Sequence, residues 1–64
     1  MFEKVHYKTD EEGNVFCNNV EELAEFATDG MWKSVEDLEA DTGVGREEMI
    51  GKWFIIVHGR VYHV

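Results

Sequence analysis

The sequence predicts an α+β fold in which two β-hairpins form one antiparallel sheet and two or three short helices cover one face of it. Two observations predict this fold. Alternating apolar residues flank a turn near each end of the chain, and two N-cap signatures followed by apolar residues at helical spacing lie between them. With 64 residues, the chain has room for a single domain, residues 1–64.

The N-terminal hairpin is predicted from a polar, glycine-containing loop at residues 10–14. If Thr9 pairs with Val15, the two strands bury their apolar side chains together. One face of the hairpin then carries Val5, Tyr7, Val15 and Cys17.

A first helix is predicted over residues 20–29 from its capping residues. Asn19 is the N-cap, Glu22 completes a capping box, and Gly30 ends the helix. The residues at helical spacing that should face the core are Val20, Leu23, Ala24, Ala27 and Met31.

A second helix is predicted from Val35 to Thr42, because Ser34 and Asp37 repeat the capping signature and Gly43 ends the apolar pattern. Residues 46–52 are predicted to form a third helical turn with two inward side chains, Met49 and Ile50.

The C-terminal hairpin is predicted from two apolar segments around the two-residue turn His58-Gly59. Both faces of this strand pair are apolar, which is typical of a sheet whose second face meets another surface. One face carries Trp53, Ile55, Val57, Tyr62 and Val64, and the other carries Phe54, Ile56, Val61 and His63.

We expect the large apolar side chains to divide between the core and an exposed sheet face. A domain of this size needs large side chains to close its core, and we assign to it Phe2, Tyr7, Phe26, Trp32, Trp53 and Tyr62. An exposed apolar patch on the sheet would anchor a partner, and we assign to it Phe16, Phe54 and Ile56; the alternative is that the second helix or the N-terminal strand buries them.

The chain is strongly acidic, with a net charge of −8 that is unevenly distributed. Residues 1–43 hold twelve acids against three lysines, whereas residues 44–64 hold two acids against three basic residues. Such a field repels nucleic acid and anionic membranes and attracts basic proteins. A single cysteine and the lack of an apolar run long enough to span a membrane indicate a cytoplasmic protein.

Carboxylates are aligned on the predicted helices. Glu21, Glu25 and Asp29 follow the spacing i, i+4, i+8, which places them on one helix face at intervals of about 6 Å. The second helix adds Glu36, Asp37 and Asp41. Two interpretations remain open: a solvated face that keeps the protein soluble, and a row of carboxylates that imitates nucleic acid phosphates.

Residues 35–53 resemble a helix-turn-helix unit, with apolar positions on either side of Gly43 and the terminal hairpin as a wing. Glu39 stands where that family usually has a small residue. The segment that would be the recognition helix, residues 46–52, carries two acids, Glu47 and Glu48, where base edges need donors. The resemblance implies an alternative function, a winged-helix-like DNA-binding transcription regulator, with a basic strip of Arg46, Lys52, His58, Arg60 and His63.

No residue pattern indicates catalysis, a metal site or a cofactor. The candidate zinc ligands lack the usual ligand spacing; they are His6, Cys17, His58 and His63. Neither a phosphate-binding loop nor a Ser-His-Asp set is present in the sequence. We therefore expect a protein that is not an enzyme and needs no cofactor.

In size, charge and lack of disulfides, the chain resembles the small acidic proteins with which phages inhibit host enzymes. The resemblance implies an inhibitor or regulator that occupies the basic groove of a nucleic-acid-handling host enzyme. The predicted partner-binding residues are Glu21, Glu25, Asp29, Glu36, Asp37, Asp41, Phe54 and Ile56. A homodimer joined through the second hairpin is a further possibility.

Overall fold

The structure, a computed structural model, describes residues 6–64. Four strands form one sheet in the order β1-β2-β3-β4, and all neighbouring strands are antiparallel. The predicted α+β class is confirmed, with two α-helices and one 3-10 helix within residues 6–64. The elements in chain order are β1 (Lys8–Thr9), β2 (Val15–Phe16), α1 (Val20–Asp29), α2 (Val35–Thr42), the 3-10 helix (Arg46–Glu48), β3 (Trp53–Val57) and β4 (Arg60–His63).

The N-terminal hairpin has the predicted register, with Thr9 opposite Val15. Asp10 holds its loop together: its carboxylate accepts hydrogen bonds from the backbone N–H of Glu12 at 2.9 Å and from that of Asn14 at 2.8 Å. The Asn14 side-chain amide donates a third bond at 2.8 Å, and this bond is the main reason why the pKa of Asp10 is lowered. Val5, predicted on the inward face, lies outside the described residues.

Both predicted N-caps are confirmed. The Asn19 side chain accepts from the Glu22 N–H at 2.9 Å, and the Ser34 hydroxyl accepts from the Asp37 N–H at 3.2 Å. The Glu22 carboxylate reaches back to the N–H of Asn18 at 2.8 Å, one residue before the position expected for a capping box. These local bonds explain why the helix boundaries could be predicted.

The C-terminal hairpin has the predicted two-residue turn. His58 and Gly59 have φ values of 51° and 76°, which is the type I′ geometry whose twist matches that of the flanking strands. Ile55 lies opposite Tyr62 and Ile56 opposite Val61, so the predicted division of the hairpin into two faces is confirmed.

The core lies between the two helices and one face of the sheet. Phe54 is fully buried at its centre, and its ring contacts that of Phe26 edge-on with centroids 5.6 Å apart. The buried apolar residues are Val15, Cys17, Leu23, Ala27, Val35, Leu38, Met49 and Phe54. Partly buried residues packed against them include Tyr7, Phe26, Trp32, Ile56 and Val61.

Several assignments to the core and to the exposed patch were wrong. Phe54 is in the core and cannot anchor a partner, whereas Tyr62 is 49% exposed and Met31, beyond the end of α1, is 82% exposed. The reason is the same for both aromatic residues: the helices cover the face of the hairpin that carries Phe54, not the face that carries Tyr62. Phe2 lies outside the described residues.

Candidate functional site

Three of the predicted partner-binding residues line a groove made of two adjoining depressions, which share Met31, Trp32 and Asp41. Asp37 and Asp41 project from α2, and Ile56 reaches the groove from β3. Trp32 and Met31, in the connection between the two helices, line both parts of the groove. We call this the Trp32 groove; its remaining lining residues are Lys33, Ala40, His58 and Gly59.

Trp32 is held in place by three interactions. Its indole N–H donates to the Asp41 carboxylate at 3.1 Å, its backbone N–H donates to the carbonyl of Ala27 at 3.1 Å, and its ring packs against Phe26 with centroids 5.9 Å apart. A Cβ at Gly30 would lie 2.8 Å from the indole ring, so the absence of a side chain there lets the ring pack over the end of α1. The ring is therefore a fixed wall of the groove.

The charges around Trp32 favour a cationic ligand. Asp37 and Asp41 are both exposed and lie one helical turn apart beside the ring, with Lys33 as the one lysine or arginine that lines the groove among the described residues. A carboxylate next to an aromatic face can bind an arginine or lysine side chain by a charge-assisted hydrogen bond and a cation–π contact. Exposed Met31 supplies adaptable apolar contact area.

The predicted row of carboxylates on α1, which we call the α1 stripe, consists of Glu21, Glu25 and Asp29. It is less available to a partner than the sequence indicated. The Glu25 side chain is only 12% exposed and lies 2.9 Å from His6 Nδ1, and Asp29 accepts a hydrogen bond from the Tyr7 hydroxyl at 2.9 Å. Burial, together with this bond to Asp29, raises the pKa of Tyr7. Two of the three stripe residues thus bind the segment that precedes β1. The third, Glu21, is exposed and makes no such contact with residues 6–64.

Glu36 is bound to Arg46, a residue whose role the sequence did not reveal. The guanidinium of Arg46 contacts Glu36 at 3.2 Å and Glu39 at 3.1 Å, and the Arg46 backbone N–H donates to Glu39 at 2.7 Å. The Arg46 hydrogen bonds lower the pKa of Glu39; the pKa of Glu36 is lowered first by a bond from its own N–H and then by Arg46. This side of α2 is therefore partly neutralised.

The geometry does not support the helix-turn-helix alternative. The segment after α2 forms only a three-residue 3-10 helix, too short to lie in a major groove as a recognition helix. Arg46 is engaged by α2, Lys52 is 3.7 Å from Glu48, and Arg60 lies at the opposite end of β3 from Lys52. The expected basic strip is therefore not assembled.

Within residues 6–64, the helices pack on one face of the sheet, and we call the opposite face the outer face. Phe16 and Trp53 lie side by side on it with ring centroids 5.4 Å apart, and the Lys8 ammonium lies 5.9 Å from the Phe16 centroid. The other strand residues that point to this side are Ile55, Val57, Arg60 and Tyr62. The prediction that Trp53, Ile55, Val57 and Tyr62 share one face of the hairpin is confirmed, but Trp53 and Tyr62 were assigned to the core.

Cys17 has no features of a nucleophile. It is fully buried, and burial, reinforced by the nearby Glu22 carboxylate, raises the pKa of its thiol to about 12. Within residues 6–64, no group of three His, Cys, Asp or Glu side chains is placed to hold a metal ion. In the same range, neither helix is long and apolar enough to cross a membrane.

Comparison with protein-family models, with curated proteins and with solved structures finds no match to this chain in any of the three.

Proposed function

We propose that the protein is a stoichiometric inhibitor or regulator that binds a basic surface of another protein through the Trp32 groove. The observation that carries the proposal is the convergence of Asp37, Asp41 and Ile56 around Trp32. A lysine or arginine of the partner would lie over the face of the indole ring, beside the two carboxylates, with its alkyl part against Ile56 and Met31.

Basic grooves of this kind occur on enzymes that handle nucleic acid, because those enzymes neutralise phosphates with lysine and arginine. A host enzyme whose groove is occupied by an acidic protein cannot bind its substrate there, so binding amounts to inhibition. The other exposed acids, Glu21 among them, contribute to the long-range field that raises the association rate. Contacts in the Trp32 groove then determine how long the complex lasts.

The test is affinity capture from a nuclease-treated bacterial lysate, followed by binding measurements with the captured enzyme. We expect Asp37→Asn with Asp41→Asn to weaken binding by at least tenfold, because each removes a charge from beside the cation. The matched control is Glu21→Gln with Asp29→Asn, which changes the net charge equally on α1. We expect this control to slow association with little effect on dissociation.

Equal loss of affinity in the two double variants would mean that only total charge matters and would refute the groove as the site. Capture of nucleic acid from an untreated lysate, with no protein retained after nuclease treatment, would refute the inhibitor proposal altogether.

A further inference from the structure

We propose that the outer face of the sheet is a dimer interface with a second copy of this chain, with the two-fold axis running parallel to the strands. This inference is independent of the proposed function, because the Trp32 groove is on the other side of the sheet. The apolar side chains on this face are Phe16, Trp53, Ile55, Val57 and Tyr62, and the chain is small enough that burying them would add substantially to its stability.

Charge distinguishes this face from the rest of the molecule. Among residues 6–64, its outward strand positions carry two cations, Lys8 and Arg60, and no carboxylate, although the whole chain has fourteen acids. Two copies with a net charge of −8 repel each other wherever their acids meet. The outer face is the side on which they can approach without bringing the acidic helices α1 and α2 together.

The sheet topology makes the face complementary to itself. The acidic loop at residues 10–14 and the β4 residue Arg60 lie at the same end of the sheet, but at opposite edges, next to β1 and on β4 respectively. A two-fold axis parallel to the strands places β1 of one copy over β4 of the other at the same end. Each Arg60 then faces Glu11 and Glu12 of the partner copy.

The same two-fold rotation places aromatic residues of the two copies over each other. Phe16 on β2 and Trp53 on β3 are paired in the two central strands, so the axis passes between them and places the Phe16 of one copy over the Trp53 of the other. Aligned sheets pack in this manner about 10 Å apart. With strands about 4.8 Å apart and a rise of about 3.4 Å per residue, the footprint is roughly 14 by 17 Å. Such a small contact predicts a weak, concentration-dependent dimer.

Sedimentation velocity over a wide range of protein concentrations tests the inference. We expect the native chain to dimerise as concentration rises, and Tyr62→Glu to remain a monomer with an unchanged circular dichroism spectrum, since Tyr62 is half exposed. Arg60→Glu should raise the dimer dissociation constant by about tenfold, because two symmetric ion pairs become repulsive. Lys33→Glu, the same charge change in the Trp32 groove, should leave it nearly unchanged.

The pair Glu11→Lys with Glu12→Lys provides the sharpest comparison. It lowers the net negative charge, so overall repulsion predicts a tighter dimer, whereas the proposed geometry predicts a weaker one. Adding Arg60→Glu to this pair should restore dimerisation. A native chain that stays monomeric at every concentration, a Tyr62→Glu variant that still dimerises, or failure of the combined variant to recover would each overturn the inference.

Discussion

The two sides of the sheet are both apolar, yet they differ in what surrounds the apolar residues. On the helical side, the Trp32 groove combines an indole ring with two exposed aspartates from α2. On the outer face, the strand positions described by the structure combine the aromatic residues Phe16, Trp53 and Tyr62 with Lys8 and Arg60 and include no carboxylate. The first environment suits a cationic side chain, and the second suits apolar contact between surfaces of low acidity.

The two sides of the sheet have separate binding roles, whereas the sequence-based prediction combined them in a single partner-binding surface. The acidic helices and the exposed apolar strands were expected to bind one partner together. Because the helices cover one side of the sheet and the exposed strand residues lie on the other, a flat partner cannot contact both. Of the predicted apolar partner-binding residues, Ile56 does lie beside an acid: it lines the Trp32 groove with Asp41 and Trp32.

The largest predicted effect on stability comes from replacing, one at a time, two adjacent residues of β3 that face opposite sides of the sheet. Phe54→Ala should cost about 3–5 kcal/mol of unfolding free energy, because it empties the centre of the core. For a chain of 64 residues, whose whole stability is about 3–10 kcal/mol, this change is enough to unfold a large fraction of the molecules. Urea denaturation followed by circular dichroism measures the effect.

Ile55→Ala is the matched control, because Ile55 is adjacent in sequence and points to the outer face. In the monomer we expect a loss of less than about 1.5 kcal/mol, since a partly exposed side chain leaves no cavity when it is removed. If Ile55→Ala proves more damaging than Phe54→Ala, the assignment of the two faces is wrong.

A smaller effect is predicted for Arg46, which neutralises one side of α2. Arg46→Met should lower the unfolding midpoint at pH 7, because Glu36 and Glu39 lose their partner. The pKa values of both carboxyls are lowered in the folded state, so the stability that they contribute is complete above their unfolded value of about 4.5 and is lost as the pH falls through the folded values.

The difference in stability between the native chain and Arg46→Met should therefore narrow as the pH is lowered below about 4.5. Thermal unfolding at pH 7, 5, 4 and 3 measures it. Lys52→Met serves as the control, because its contact with Glu48 is longer, at 3.7 Å, and exposed. A difference that stays constant with pH would show that Arg46 acts through packing alone.

Local interactions account for the part of the fold that could be predicted. Asn19 and Ser34 cap their helices through bonds to residues three positions away, and the His58-Gly59 turn requires positive φ at both residues. Each of these features is encoded within a few residues. They determine the element boundaries whatever the rest of the chain does.

The covered face of the C-terminal hairpin could not be predicted in the same way, because it depends on contacts between distant segments. Both faces of β3 are apolar, so alternation does not distinguish them, and the bridge between Cys17 and Ile50 that precedes β3 joins segments far apart in sequence. One signal was present: Arg60 and Lys8 point to the outer face. A cation on a sheet face is a reason to leave that face exposed.

The candidate site was partly predictable for the same reason. Spacing identified Asp37 and Asp41 as exposed acids on α2, but Trp32 was assigned to the core and its bond to Asp41 spans nine residues across the connection between helices. Likewise, the sequence pattern could not show that Arg46 folds back on Glu36 and Glu39.

The most direct test uses the two tryptophans, one in each region, as separate reporters. An arginine-rich peptide is titrated into two variants, and tryptophan emission is recorded at protein concentrations too low for dimers. Trp53→Phe keeps Trp32 as the reporter, and Trp32→Phe keeps Trp53. A peptide with glutamine in place of arginine is the control. We predict a saturable change in Trp32 emission that disappears in Asp37→Asn with Asp41→Asn, and no change in Trp53 emission. A saturable response of Trp53 with none from Trp32 would contradict the proposal that the groove is the binding site.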